Sequence, residues 1–381
     1  MADTTTVLRP VDLAEAASAL ADTAGPVLIT GAGTAADWAG TPEPAALTLD
    51  TTGLTGVIEH NPGDMTVAVR AGTPLRVLNA ELAGHSQRVA LDAARIHRGA
   101  TVGGLIATAD AGPSALVHGS LRDLVIGMTV VLADGTAARS GGHVIKNVAG
   151  YDLAKLLQGS HGTLALIAEV VLRLHPVPPA TATVRLDVPL DGAHRAARNV
   201  LSGPWEPAAL EWVGAPDEEA LLVRLAGTEA ATGTRADRLA AAVGADRLDD
   251  AAELGAWARH ADLVDAPPDP GAAVLRIGVR PSRLPEVLRD VRPTVVTAGL
   301  ATGAATLRLV GADHQAVWAA VEHAHRVVHA AGGTSSLRSR PPGCPAPAWG
   351  PAPSAIAVLR AVRSALDPDG RLGAGRFAPW M

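Results

Sequence analysis

Gly141–Pro176 reads GGHVIKNVAGYDLAKLLQGSHGTLALIAEVVLRLHP. It contains the only tyrosine of the chain, Tyr151, and its only two lysines, Lys146 and Lys155. Every other positive side chain is arginine or histidine. Within the stretch, YDLAKLLQGS predicts a short helix ended by Gly159, and TLALIAEVVLRL predicts a long strand. The cluster His175-Pro176-Val177-Pro178-Pro179 closes that strand and marks a domain boundary, because proline can neither continue a sheet ladder nor seed a helix interior.

Upstream of it the chain alternates strands, turns and one long Gly-rich segment. PVDLAEAASALADTA predicts a helix, and VLIT a short buried strand that runs directly into GAGTAADWAG. Further strands are expected in LTLDTTGLTGVIEH, MTVAVRAGT and RVALD, and a helix in PLRVLNAELAGH, opened by Pro74. LVIGMTVVLADGTAARS predicts two strands joined at Asp134–Gly135. Downstream, TATVRLDV, AALEWVG, EALLVRLAG, AAVLRIGVR and AATLRLVG alternate as strands. Four amphipathic helices lie between them or follow them, in DGAHRAARNVLSG, TRADRLAAAVG, SRLPEVLRDV and DHQAVWAAVEHAHRVVHAAG. That order indicates an α+β unit.

Length and composition set outer limits. At 381 residues the chain is too long for one ordinary core. With 48% hydrophobic and 18% charged residues it is neither disordered nor membrane-like. The net charge of −6 has no basic cluster, which excludes a nucleic-acid footprint. No apolar run reaches the length of a membrane span and the N-terminus does not read as a secretory signal, so a cytoplasmic location is expected. The single cysteine, Cys344, excludes an internal disulfide or a cysteine-ligated iron–sulfur cluster. Redox chemistry would therefore rest on an organic cofactor.

Three small-residue loops suit an extended ligand with a phosphate-bearing middle. Gly31 and Gly33 follow a strand, where bare amides can approach phosphate oxygens. The loop is neither a dinucleotide fingerprint nor a P-loop. Thr101-Val102-Gly103-Gly104, with Gly112 and Gly119 beyond, would offer a second set of unobstructed amides. A side chain at Gly103 or Gly104 would fill space the ligand needs. Gly159–Thr163 is the third loop.

The stretch KNVAGYDLAKLLQGSHGTLALIAEVVLRLHPVP resembles the signature of the 2-hydroxyacid branch of the vanillyl-alcohol oxidase superfamily, whose FAD-binding domain is of the PCMH type. GATVGGLIATADAGPSALVHGSLRDLVIGMTVVLADG and LRAVRSALDPDGRLGAGRF are similar, more narrowly, to the FAD-binding subunits of bacterial glycolate oxidases. The resemblance implies an α+β protein in three parts. These are a PCMH-type FAD domain of two α/β subdomains over 1–178, a ferredoxin-like cap over 179–340, and a C-terminal segment, 341–381, that returns to the FAD domain.

It also implies roles for named residues. Gly31, Ala32, Gly33 and Thr34 would hold the FAD pyrophosphate, and Thr101, Val102, Gly103 and Gly104 would follow it toward the flavin. Ala107, Gly112, Gly119, Arg122 and Asp123 would line the cofactor, with Gly162, Thr163 and Ile167 approaching from the last strand. Lys146, Asn147 and Tyr151 would sit by the flavin, where an ammonium or amide donor stabilises the reduced ring. Lys155 reads as a helix-surface residue. The first loop lacks the histidine that carries covalent flavin, so FAD would be bound without a covalent link. Glu322, His325 and His329 could share a helix face, but the metal-binding histidine pattern of relatives is missing and no metal is assigned.

The implied activity is oxidation of a small 2-hydroxyacid as one subunit of a complex with an iron–sulfur protein and a second FAD subunit. The complex could lie peripherally on a membrane through those partners. A non-catalytic FAD-carrying subunit and a stand-alone, oxygen-using alcohol oxidase remain as alternatives.

Overall fold

The computed structural model describes residues 6–143 and 152–381. Lys146, Asn147 and Tyr151 fall outside the described residues.

Three larger sheets, with a two-stranded pairing of Gln87–Arg88 and His175–Pro176, organise the described residues. Thr6–Leu8, Leu47–Asp50 and Val27–Thr30 form a parallel three-stranded sheet with Leu47–Asp50 in the middle. The Leu13–Ala21 helix, capped by the Asp12 carboxylate on Glu15 N–H, buries Ala16 and Leu20 in the same core as Val27, Leu47 and Leu49. A second, antiparallel sheet runs Val57–Asn61, Thr66–Arg70, Leu166–Arg173, Val125–Val131, Ala137–Gly141. The Asp-Gly turn expected within it is present. Gly135 N–H donates to Leu132 O at 3.0 Å, Thr136 N–H donates to Asp134 Oδ1 at 2.8 Å, and Gly135 takes φ +86°.

The third sheet is antiparallel throughout and has eight strands. Its order is Asp246–Arg247, Ala180–Asp187, Glu218–Gly227, Ala209–Ala215, Val295–Gly299, Ala304–Val310, Ala272–Gly278, Thr334–Ser339. Strand alternation gives it two unlike faces. Leu210, Trp212, Leu221, Val223, Leu275, Ile277, Leu307 and Leu337 point one way, into a core closed by the helices Leu190–Ser202, Glu229–Val243, Leu284–Val291 and His314–Ala330. The opposite face is polar. Val213, Thr297, Thr306, Arg276 and Ser336 are cross-strand partners in one continuous row, so they share that face.

The C-terminal segment returns to the first sheet. Leu372 forms a parallel bridge with Val27 and is fully buried in its core. Arg371 donates to the carbonyls of Leu20, Thr23, Gly25 and Ala133, tying the tail to the first helix and to the 132–136 turn.

Several elements differ from the sequence expectation. RVALD is a strand only at Gln87–Arg88, because Asn79 takes over the next residue, accepting from Val89 N–H at 2.9 Å. Val295–Gly299 and Thr334–Ser339 are strands, one central and one at the edge, in stretches too short or too polar to show alternation. Asp250–Val264 is a helix of 15 residues. Its buried residues are Glu253 and His260, so it presents no apolar stripe to read. It lies on the polar side of the eight-stranded sheet, with Trp257 Nε1 donating to Thr183 Oγ1 at 2.9 Å.

Candidate functional site

The loop after Val27–Thr30 is shaped for an anion. Gly33 sits at φ +71°, a left-handed turn that favours glycine. Ala36 N–H turns back to Gly33 O at 3.1 Å. The N–H groups of Ala32, Gly33, Thr34 and Ala35 donate to no protein atom among the described residues. A run of undonated amides in a turn is a nest for phosphate or carboxylate oxygens. The loop is held from below by Arg95, whose Nη1 donates to Thr34 Oγ1 at 2.8 Å, and from beside by Arg376, whose Nη1 donates to the carbonyls of Ala36 and Trp38 at 2.9 Å each.

This loop opens on a cavity of ≈ 220 Å³. The cavity brings together Gly31, Ala32, Gly33, Thr34, Thr101, Gly103, Gly104, Ala107, Gly162 and Ile167 from the expected residues. Its walls are mostly apolar, with Arg95, His161 and Arg376 as the charged or titratable groups. Val102 and Thr163 are behind the wall. Val102 is fully buried in the core, and Thr163 Oγ1 donates to Ser160 O at 2.7 Å. Gly112 lines a different cavity. Gly119 borders neither cavity; it precedes the capping box in which Ser120 and Asp123 satisfy each other's backbone N–H groups. Arg122 and Asp123 border a surface hollow with Asp152 and Lys155, which form an exposed ion pair at 2.9 Å.

The second loop works differently from the expectation. Its amides are not free. Val102 N–H donates to Thr73 O at 3.0 Å, Gly103 N–H to Ala71 O at 2.7 Å, and Gly104 N–H to the capping Thr101 Oγ1 at 3.2 Å. Nor does Gly103 reserve ligand space, since a Cβ there would meet Ala71 Cβ at 2.9 Å. Gly103 permits close helix–strand packing. Gly31 likewise makes room for protein, because its Cβ would lie 2.8 Å from Thr101 Oγ1. The third loop spends four of its N–H groups on protein carbonyls, with Gly159 donating to Ile106 O, Ser160 to Leu157 O, His161 to Ala107 O and Thr163 to Ser160 O. Among the described residues, Ser160 Oγ is buried without a hydrogen-bond partner.

Sequence reading missed the groups that join this cavity to the polar face of the large sheet. Asp110 is buried between Arg95 Nε at 2.9 Å and Arg338 Nη2 at 2.7 Å. Both guanidiniums also stack on Trp38, with ring-centroid distances of 4.2 and 3.8 Å. Burial pushes the Asp110 carboxyl up, but Arg338 and then Arg95 outweigh it and hold it below the ordinary carboxylate range. His161 has φ +51° and packs edge-on against Trp349 and Phe377, which stack on each other at 4.8 Å. Burial, followed by repulsion from Arg376, Arg95 and Arg338, lowers its pKa to about 3, so the imidazole is neutral near pH 7. His161 and Thr108 line both the first cavity and a larger one of ≈ 650 Å³ that reaches Arg276, Ser336 and Arg338 on the large sheet. His325 is engaged at both ring nitrogens, by Ser335 Oγ at 2.6 Å and Pro347 O at 3.1 Å.

Residues 6–141 match the family model described as FAD binding domain. This segment is an FAD-binding domain, and FAD is its cofactor. The whole fold is that of the alkyldihydroxyacetonephosphate synthase structure, with TM-score 0.71 at 16% identity, covering 96% of this chain and 75% of that one. In sequence the chain is similar to the Escherichia coli glycolate oxidase subunit GlcE, 36% identical over 146 residues, which is 38% of this chain and 42% of that protein. It is also similar to the Bacillus subtilis glycolate oxidase subunit GlcD, 39% identical over 117 residues, 30% of this chain and 25% of that protein. The match thus spans less than half the length of either relative.

The residues present fit such a group. Four open amides and a left-handed glycine suit a pyrophosphate. The apolar cavity beyond suits aromatic rings, and His161 and Thr108 border both that cavity and the larger one.

Proposed function

We propose that this chain is the FAD-carrying subunit of an oxidoreductase acting on the CH–OH group of a small 2-hydroxyacid of the glycolate kind. The reading rests above all on the row of open amides at Ala32–Ala35 above a cavity that shares His161 and Thr108 with a larger one bordered by the polar face of the large sheet. The parts would be 1–178 for the cofactor, 179–340 for the cap and 341–381 for the returning tail. FAD would be held without a covalent bond. Electrons would leave to a separate iron–sulfur protein, with a second flavin subunit in the same complex. The chain's one cysteine cannot ligate a cluster itself. Among the described residues, no helix is long and apolar enough to cross a membrane.

Flavin, when bound, supplies a two-electron acceptor. The chain's own groups would do the rest. The Ala32–Ala35 amides bind phosphate oxygens, and Arg95 fixes the loop through Thr34. The neutral His161 ring, packed against Trp349 and Phe377, borders both cavities without adding a further positive charge to those of Arg376, Arg95 and Arg338.

The test is a purified chain titrated with glycolate and with D-lactate under anaerobic conditions while flavin absorbance is followed. Bleaching supports the reading. FAD retained without bleaching leaves a carrier subunit. Hydrogen peroxide production in air at about 1 per second or faster, with no other protein, would sink the partner requirement.

A further inference from the structure

Thr34, in the loop of open amides, is held at two of its polar groups by a single turn. The turn Ala94–Arg98 carries two arginines three positions apart. Arg95 Nη1 donates to Thr34 Oγ1 at 2.8 Å, and Arg98 Nη2 donates to Thr34 O at 3.0 Å. Each arginine is answered by a carboxylate from elsewhere in the chain. Asp110 accepts from Arg95. Asp265 accepts twice from Arg98, with Nε and Nη2 both at 2.6 Å. The planar guanidinium fork matches the two carboxylate oxygens, so this pairing fixes direction as well as distance.

Asp265 belongs to the large-sheet half of the molecule. It closes the Asp250–Val264 helix, its N–H donating to Ala261 O at 2.9 Å. A helix C-terminus is the negative end of the helix dipole, where a carboxylate is disfavoured. The Asp265 side chain is also 6% exposed, against 46% for Arg98. A desolvated carboxylate at that end needs a cation, and Arg98 supplies it at hydrogen-bond distance, while His97 Nε2 stands farther off at 3.9 Å. The chain beyond is stiff. Pro267 and Pro268 restrict the backbone, and Asp269 is anchored by Gly271 N–H at 2.7 Å and by an ion pair with Arg308 of the Ala304–Val310 strand. Gly33–Trp38, Arg98 and Val264–Pro268 line one small cavity of ≈ 80 Å³, so the two segments lie close together.

We propose that Arg98 and Asp265 form a clasp that positions the anion loop. Through Arg98, the large-sheet half holds the Thr34 carbonyl, and with it the Ala32–Ala35 amides, in the turn that receives the FAD phosphates. The inference goes beyond the 2-hydroxyacid reading and rests on FAD as cofactor, with Ala32–Ala35 as its phosphate seat. Neither side chain lines the ≈ 220 Å³ cavity, so both are positioning residues and not ligands of the cofactor. A loop held in its binding shape beforehand raises affinity, because the cost of ordering it is not charged to the ligand.

The full chain, stripped of FAD, is titrated with FAD and separately with riboflavin, which has no phosphate, while flavin fluorescence is followed. Arg98→Met should weaken FAD binding by at least about tenfold, the size expected for losing a charge-assisted hydrogen bond, and leave riboflavin binding unchanged. Arg98→Lys, which keeps the charge but loses the fork, should recover part of that loss. Asp265→Asn should weaken FAD binding in the wild-type background and add little in Arg98→Met, because the carboxylate acts through the guanidinium. If Arg98→Met does not fold, Arg98→Lys and Asp265→Asn decide by the same comparison of FAD with riboflavin. Equal losses of FAD and riboflavin affinity would mean general damage to the fold and overturn the clasp. FAD affinity unchanged in the Arg98 variants overturns it too, as does an Asp265→Asn loss of the same size in both backgrounds. A wild type that binds riboflavin as tightly as FAD would instead remove the phosphate seat, and the clasp's role with it.

Discussion

Arg338 Nη2 and Asp110 Oδ1 lie 2.7 Å apart, joining an edge strand of the eight-stranded sheet to the FAD domain. The two residues are 5% and 2% exposed, and Arg95 shares the same carboxylate. The Trp38 ring stacks against both guanidiniums, so the two halves of the site are fixed by one buried acid.

Removing that acid should strand two buried guanidiniums. Asp110→Asn is expected to destabilise the fold by about 3–5 kcal/mol, the usual cost of breaking a buried ion pair by deleting one partner. Urea unfolding followed by circular dichroism measures it. Because the folded carboxyl titrates below its unfolded value, its contribution is present above about pH 4 and is lost as pH falls through the lower folded value.

His161 gives a second acid-side effect. Its folded pKa, lowered to about 3, lies below the ordinary histidine value, so the unfolded chain binds the extra proton first. Stability from this source is full above about pH 6.5 and declines as pH falls toward the folded value. His161→Asn, which tolerates the left-handed backbone, should flatten the decline in melting temperature between pH 7 and pH 4. An identical slope in both proteins would refute the buried neutral imidazole.

Gly33 is the position where loop conformation and ligand meet. A Cβ there touches nothing within 4 Å, so Gly33→Val should fold. The left-handed φ costs a β-branched residue about 1–2 kcal/mol and swings the amides away from the anion. FAD content after gel filtration should drop sharply. Lys155→Ala, which removes only an exposed pair with Asp152, should leave it unchanged.

Gly103→Val is expected to act through packing. Its Cβ would press on Ala71, and overpacking of this kind costs about 1–3 kcal/mol. The apoprotein should therefore melt earlier by an amount independent of added FAD. Full apoprotein stability with selective loss of FAD would return Gly103 to the ligand surface.

What the residues determine alone is the local grammar. The alternation in AAVLRIG and AATLRLV, the Asp134–Gly135 turn and the glycines after VLIT each state their own conformation, because a strand's two faces and a turn's φ depend on near neighbours. The Gly-Tyr-Asp-Leu and Gly-Ser-His-Gly-Thr runs added the resemblance to FAD-binding proteins. Tertiary structure decided the rest. Whether the amides of Val102 to Gly104 are free depends on Ala71 and Thr73, which a loop's composition does not mention. The Asp250–Val264 helix carries no apolar stripe because the surface it covers is itself polar. Asp110 meets Arg338 across 228 positions, and His260 meets Glu211 across 49. Such pairs form where separate elements dock, and burial makes their charges interact strongly only once water has been excluded.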